Sequence, residues 1–282
     1  MLVRLTLESE RHAGRMCLRL VGNRKTQQAF RTYVPNVGGQ QKNQPAKEEA
    51  DNVATLLSPF SLIEEDVVQM NKSKAIGIIV QCVELYHENF ENKNLMILSA
   101  NKQKYIHALE AHFPRRCFMH LTGIMPNESL VRSATHFYTM CLEHRLTEGS
   151  FSIRPDGTTE MKLSVLPDLL KPHLSAKSIG DYDAFSPKLF TEKLAGSIRA
   201  CMGFTKGDGF YYPNTVLKKD IRDISKHPQE RILAIVSKEV GDLLYGTYVY
   251  ATKIDDWSMY HISDDISGKI QMRCNPFVNG GL

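Results

Sequence analysis

The sequence predicts an α+β protein in which N-terminal helices pack on a C-terminal meander of antiparallel strands. Apolar residues recur at helical spacing in two segments of the first half, through Ile76, Ile79, Val80, Val83, Tyr86 and Phe90, and again through Leu130, Val131, Ala134, Phe137, Tyr138, Cys141 and Leu142. Past Gly196 the pattern changes to alternation, with Gly196, Ile198, Ala200, Met202 and Phe204 on one side and Ser197, Arg199 and Cys201 on the other. Gly241-Asp242 then separates the apolar run Arg231 to Lys238 from Tyr245 to Lys253, as a tight hairpin turn with glycine at its first central position would. At 282 residues with a hydrophobic fraction of 42%, the chain has enough apolar side chains to bury a core.

Taken in order, residues 1–65 read as a basic, Gln/Asn-rich, weakly ordered extension, with a linker from Pro35 to Pro45, and residues 66–278 as the folded domain. Met70 to Phe90 is the first helix. Leu95 to Leu98 is a short strand, and Tyr105 to His112 a short helix ended by Pro114. Cys117 to Ile124 reads as a strand that projects His120 and Thr122 to one side and Met119 and Leu121 to the other. The helix through Phe137 is entered through Pro126 and Asn127. Phe151 to Val165 alternates after a Pro155-Asp156-Gly157 turn and reads as a hairpin, and Pro167 opens a short helix through Leu170.

The net charge of +4 is unevenly spread. Residues 1–50 hold 9 Lys or Arg against 4 Asp or Glu, which leaves 26 against 27 for the rest, so the body has no general basic field. A local basic stretch lies between residues 199 and 238, with 8 Lys or Arg against 4 acids. The six cysteines are scattered, no apolar run approaches membrane-spanning length, and the first residues form no charged-then-apolar leader. The expected location is the cytoplasm, with reduced thiols and no membrane partner.

Two stretches carry candidate chemistry. Cys117-Phe-Met-His-Leu-Thr-Gly-Ile124 places an imidazole and a hydroxyl among apolar residues, and Phe210-Tyr-Tyr-Pro-Asn-Thr215 leads into Leu217-Lys-Lys-Asp-Ile-Arg222 and on to Arg231-Ile-Leu-Ala-Ile-Val-Ser-Lys238. With Asp156-Gly-Thr-Thr159, Gly180-Asp-Tyr182 and Lys193-Leu-Ala-Gly196, these stretches resemble, from about Asp66 to Lys253, the phage-associated nucleases of the Barnase-EndoU-colicin-RelE superfamily. The resemblance implies an α+β nuclease fold, helices preceding an antiparallel sheet, and metal-independent cleavage of RNA, with no cofactor.

Such cleavage needs a base for the 2'-hydroxyl, an acid for the leaving 5'-oxygen and cations around the phosphorane. His120 is the proton-transfer candidate, and Thr122 the donor to a phosphate oxygen. Lys238 and Arg222 are candidate catalytic cations, with Arg199, Tyr211, Tyr212, Asn214 and Lys218 as substrate contacts. Each has a structural counter-reading: His120 as a hydrogen-bonded core residue, Arg222 as the partner of Asp220 or Asp223, Lys238 as a strand-edge charge, and both tyrosines as core. The expected activity is an endoribonuclease that cuts single-stranded RNA by 2'-hydroxyl transesterification, in a phage or mobile-element toxin or effector. Such a role is compatible with an antitoxin or immunity protein covering the site. The alternative is a catalytically inactive RNA- or protein-binding module on the same fold. Two Cys-x2-His pairs, Cys117 with His120 and Cys141 with His144, raise a zinc site as a third reading, but core packing accounts for both, and no metal is expected.

Overall fold

A computed structural model describes residues 7–12, 15–20, 70–184, 188–254 and 256–277. The chain divides into two units, Met1–Glu65 and Asp66–Leu282. In the first, β1 (Leu7–His12) and β2 (Arg15–Leu20) pair antiparallel, Leu7 opposite Leu20. The linker expected from Pro35 to Pro45 lies outside the described residues.

The second unit opens with α1 (Lys72–Asn89), where the Asn71 side chain accepts from the Lys74 N–H and Ala75, Ile79, Cys82, Val83 and Tyr86 form the buried stripe that the apolar spacing predicts. Strand β3 (Lys93–Ala100) is buried almost throughout, Leu95 and Ile97 toward the helices and Met96 and Leu98 toward the opposite face. Burial on both faces makes it a central strand.

The expected helix from Tyr105 to His112 is instead a strand, β4 (Ile106–His112), antiparallel to β3 with His112 opposite Asn94. Both periods fit so short an apolar run, and the alternation of Leu109 and Ala111 against Ala108 and Glu110 decides for the strand. Pro114 then ends no helix but caps the next one. Its carbonyl accepts from the buried Tyr86 hydroxyl, and α2 (Arg115–Thr122) follows. The stretch around His120, expected as a strand, is thus helical. Its buried residues Cys117, Phe118, Leu121 and Thr122 share one helix face, and Gly123 closes it in the left-handed conformation, φ 70°.

Short strands β5 (Met125–Pro126) and β6 (Phe151–Ser152) pair around α3 (Ala134–Leu142), which starts at a Ser133 cap rather than near Asn127. The hairpin expected between Phe151 and Val165 gives way to α4 (Thr158–Leu163), because Gly157 at φ 78° and the Asp156 carboxylate, which accepts from the Thr158 N–H, together start a helix. Helix α5 (Leu166–Leu169) carries Pro167 in its first turn as expected.

The remaining elements are β7 (Ser178–Asp181), β8 (Lys193–Gly196), β9 (Cys201–Gly207), β10 (Phe210–Leu217), α6 (Ile221–Ile224), β11 (Glu230–Glu239), β12 (Thr247–Ala251) and α7 (Asp264–Ser267). The strand expected from Gly196 through Phe204 is broken, since a Cβ at Gly196 would meet the Ala200 carbonyl at 2.5 Å, and Ser197 to Ala200 make the turn between β8 and β9. The β11–β12 connection is longer than a two-residue hairpin. Gly241, φ 104°, is the second central residue of a turn closed by the Asp242 N–H on the Glu239 carbonyl, a position where type II geometry demands a positive φ.

The fold is α+β, with seven helices and one large mixed sheet among the described residues. The C-terminal strands are antiparallel to their sequence neighbours, but they do not form a separate meander. The sheet order is β12-β11-β3-β4-β10-β9-β8-β7, so β3 and β4 from the first half lie between β11 and β10, and β10 runs parallel to β4. Strand β7 also pairs with β11, Glu230 opposite Ile179, which closes seven strands on themselves. The helices fill one face through the main core, around Tyr86, Phe118 and Phe204. A second core on the other face is covered by the C-terminal segment through Trp257 and Ile270.

Candidate active site

At the end of the sheet where β4 meets α2, three side chains share one face. Lys238 lies opposite Asn94 in the β11–β3 ladder, and Asn94 lies opposite His112 in the β3–β4 ladder. Directly opposed residues point to the same side. The His112 Nδ1 is 2.7 Å from Asn94 Oδ1, so a proton on Nδ1 directed to the amide oxygen leaves Nε2 as the basic nitrogen. The imidazole stands 5.8 Å from the Tyr212 ring, edge to face, and 6.0 Å from Phe210. Arg116, from the first turn of α2, sits over the same Tyr212 ring at 5.4 Å. Partial burial lowers the pKa of His112, and the Arg116 charge lowers it further against a hydrogen bond to the Lys93 backbone. The shift favours the neutral imidazole, the form that can accept a proton.

Beneath this row lies a saturated carboxylate. Glu91, with 6% of its surface exposed, accepts from the Tyr138 hydroxyl at 2.5 Å and from Arg115 Nε, and is joined to His87 Nδ1. Burial pushes its pKa up, but these three hydrogen bonds outweigh burial and hold it below the usual carboxylate value. Arg115 is thereby fixed beside Arg116. A cavity of about 350 Å³ opens here, lined by Glu91, Asn92, His112, Arg115, Arg116 and Val240 among others.

His120 is exposed one helical turn beyond Arg116, on the same face of α2. The end of that helix is held by residues far away in sequence. Lys162 Nζ donates to the His120 carbonyl at 2.8 Å, and the Gly123 carbonyl accepts from the Thr159 hydroxyl at 2.8 Å and from Arg154 Nε at 3.1 Å. The stretches His120–Gly123 and Asp156–Thr159, both singled out in the sequence, thus meet. Thr122 is fully buried and its hydroxyl donates to the Met119 carbonyl at 2.7 Å, so it closes the helix and has no path to a phosphate.

The other expected site residues divide between the two ends and the two faces of β10. Tyr212 faces His112 and Arg116, whereas Tyr211, pointing the other way, packs against the main core. The Asn214 amide donates to the Phe190 carbonyl at 2.6 Å and its oxygen accepts from the Thr191 hydroxyl, which ties down a loop. Arg199, Lys218 and Arg222 gather at the far end, where Ile221 N–H bonds the Ser197 carbonyl across the turn. That end is about 20 Å from Tyr212 at the rise of an extended strand. Arg222 is engaged bidentately by Asp220, whose carboxyl the guanidinium holds low. Lys238 stands in the His112 row, its ammonium 4.7 Å over the Tyr245 ring and 3.3 Å from the Leu243 carbonyl.

A second, largely solvent-exposed polar cluster lies where the strands close. Glu230 accepts from Ser99 at 2.7 Å and lies 2.6 Å from His107 Nδ1, and Lys193 pairs with Asp181 at 2.5 Å. Its carboxylates are matched by local partners and tie β3, β4 and β11 together. Cys117 and Cys141 are core residues whose thiols burial pushes up to about 11 and about 12, away from the thiolate that zinc requires. Among the described residues no three His, Cys, Asp or Glu side chains gather as a metal site.

Sequence reading missed His112, Arg116, Asn94 and Glu91. The signal for His112 was the alternation of residues 106–112, masked by reading that run as a helix. For Arg116 it was its spacing of four from His120, invisible while that stretch was read as a strand.

A neutral imidazole and guanidinium groups lining one cavity, with an aromatic ring against them, on a mixed α+β scaffold, suit a protein to contact a phosphate-bearing chain. Residues 78–253 match the model of the family described as phage-Barnase-EndoU-ColicinE5/D-RelE like nuclease4, and the chain belongs to this nuclease family. The matched residues include His112, Arg116, His120, Tyr212 and Lys238. No curated protein and no solved structure gives a significant match.

Proposed function

We propose that this nuclease-family protein is an endoribonuclease that cleaves single-stranded RNA without a metal, through its 2'-hydroxyl. The observation that carries the reading is that His112 and Arg116 line one cavity and both lie against the Tyr212 ring. An unpaired base stacks on Tyr212, which a duplex would not release. His112 Nε2 removes the proton of the 2'-hydroxyl, whose oxygen attacks the adjacent phosphorus. Arg116 and Lys238 offset the charge that builds on the phosphorane oxygens. His120 delivers a proton to the 5'-oxygen as the P–O bond breaks, leaving a 2',3'-cyclic phosphate and a 5'-hydroxyl. Arg222, matched by Asp220, and Thr122, sealed in the core, have no part in these steps. The biological setting that fits is a phage or mobile-element effector, held in check by an antitoxin or immunity protein over this face.

Labelled single-stranded RNA incubated with the purified protein in excess chelator tests the proposal. The expected result is cyclic-phosphate ends, with His112→Ala slowing cleavage roughly 10²–10⁴-fold, the usual worth of a general base, while RNA affinity persists. Cleavage only on addition of a divalent metal overturns the mechanism. Salt-sensitive binding without turnover assigns the chain to the binding-module alternative.

A further inference from the structure

We propose that Lys162, with Thr159, is a positioning residue of this nuclease site, which sets the axial placement of α2 and through it the reach of His120. The inference rests on the ribonuclease reading above.

Lys162 is 9% exposed, and its ammonium finds a backbone carbonyl, that of His120, rather than a carboxylate. Burying an ammonium without a counter-charge is costly. Its surroundings add to the cost: burial first, and then the nearby Arg154 guanidinium, bring its pKa down to about 8. A methionine of similar length would fill the same space at no such cost, so fold stability does not account for the lysine.

What the ammonium does reach is specific. The last carbonyls of a helix have no intrahelical donor, and the C-terminal end attracts positive charge. Lys162 bonds the carbonyl of His120, which stands exposed one helical turn from the cavity-lining Arg116. Thr159 bridges outward in the same way, its oxygen accepting from the Arg154 N–H at 3.0 Å while its hydroxyl donates to Gly123. A Cβ at Gly123 would meet Lys162 Cδ at 2.7 Å, so the lysine stem packs directly against the helix end. At the other end the Tyr86 hydroxyl fixes Pro114. Helix α2 is therefore pinned at both termini, with Arg116 and His120 between the pins.

The test uses the full chain, with RNA cleavage rates, thermal unfolding, and three variants. Lys162→Met is expected to unfold at or above the wild-type temperature while kcat falls at least tenfold and KM stays within twofold. Thr159→Val should follow it in kcat, and Thr159→Ser, which keeps the hydroxyl, should retain the wild-type rate. A kcat within threefold of wild type in Lys162→Met or Thr159→Val, or a loss carried by KM alone, overturns the inference. If Lys162→Met does not fold, stability does explain the lysine and the inference also fails. Wild-type protein without turnover would sink the ribonuclease reading itself, whereas turnover indifferent to these variants would sink only the clamp.

Discussion

At the scale of single residues, the proposed mechanism turns on how one imidazole is kept neutral. His112 is half-buried, and the Arg116 charge discourages its protonation, so its pKa in the folded chain lies below 6.5. Activity that uses the neutral ring persists below the pH at which a free histidine would be half protonated, and falls only as the pH drops through the lowered value. Replacing Arg116 with Gln removes a cation and raises that pKa, so the acid limb of the rate profile is expected to move to higher pH as well as to lower kcat. An acid limb unmoved in Arg116→Gln would mean that His112 is not the base. This residue was within reach of the sequence but hidden by a period. Assigned to a helix, His107 and His112 share no face, whereas on a strand they point to opposite sides, and His112 lies across from Asn94. His120, picked out for its chemistry, is exposed one helical turn from Arg116, on a helix rather than a strand. Thr122 does not serve as expected, because a hydroxyl in the last turn of a helix finds a backbone carbonyl before it finds a ligand.

At the scale of elements, α1, β3, α5 and β11 were legible because each is bounded by its own chemistry: an Asn71 cap, a doubly buried apolar run, a proline in a first turn, a strand ended at a glycine turn. The segments misread are short and locally ambiguous, and tertiary partners decide them. Residues 117–123 alternate well enough for a strand, yet the glycine that looked like a flexible insertion is the left-handed stop of α2. Gly123→Ala tests that role. At φ 70° an alanine costs roughly 1–2 kcal/mol from backbone geometry alone. Displacement of the Lys162 stem, 2.7 Å from the new methyl, adds to it. The expected outcome is a drop in the denaturation midpoint with an unchanged denaturant slope. An unchanged midpoint would show that the helix end tolerates another conformation. Residues 158–163 went the same way, since Gly157 and Asp156 make a helix start that also reads as a hairpin turn.

At the scale of the molecule, the residues matched by the family do not complete the core. Trp257, 3% exposed and 5.1 Å from the Phe277 ring, helps the C-terminal segment cover Met96, Leu98 and Val236 on the sheet face opposite the helices. Trp257→Ala is expected to destabilise the whole chain by about 3–5 kcal/mol in equilibrium denaturation. A midpoint equal to wild type would show that this segment unfolds separately. No local pattern announces the sheet order, because the insertion of β3 and β4 between later strands is a pairing of distant segments. That order has a consequence for how the chain is made. β4 has one neighbour at once, β3, but its other neighbour, β10, begins only at Phe210, after the intervening helices and five further strands. During synthesis the β3–β4 hairpin leaves the ribosome with a bare hydrogen-bonding margin, and the row of His112 and Tyr212 does not exist until β10 docks. Under the proposed RNA-cleaving activity, a nuclease assembled in that sequence spares the message being read until β10 has been translated.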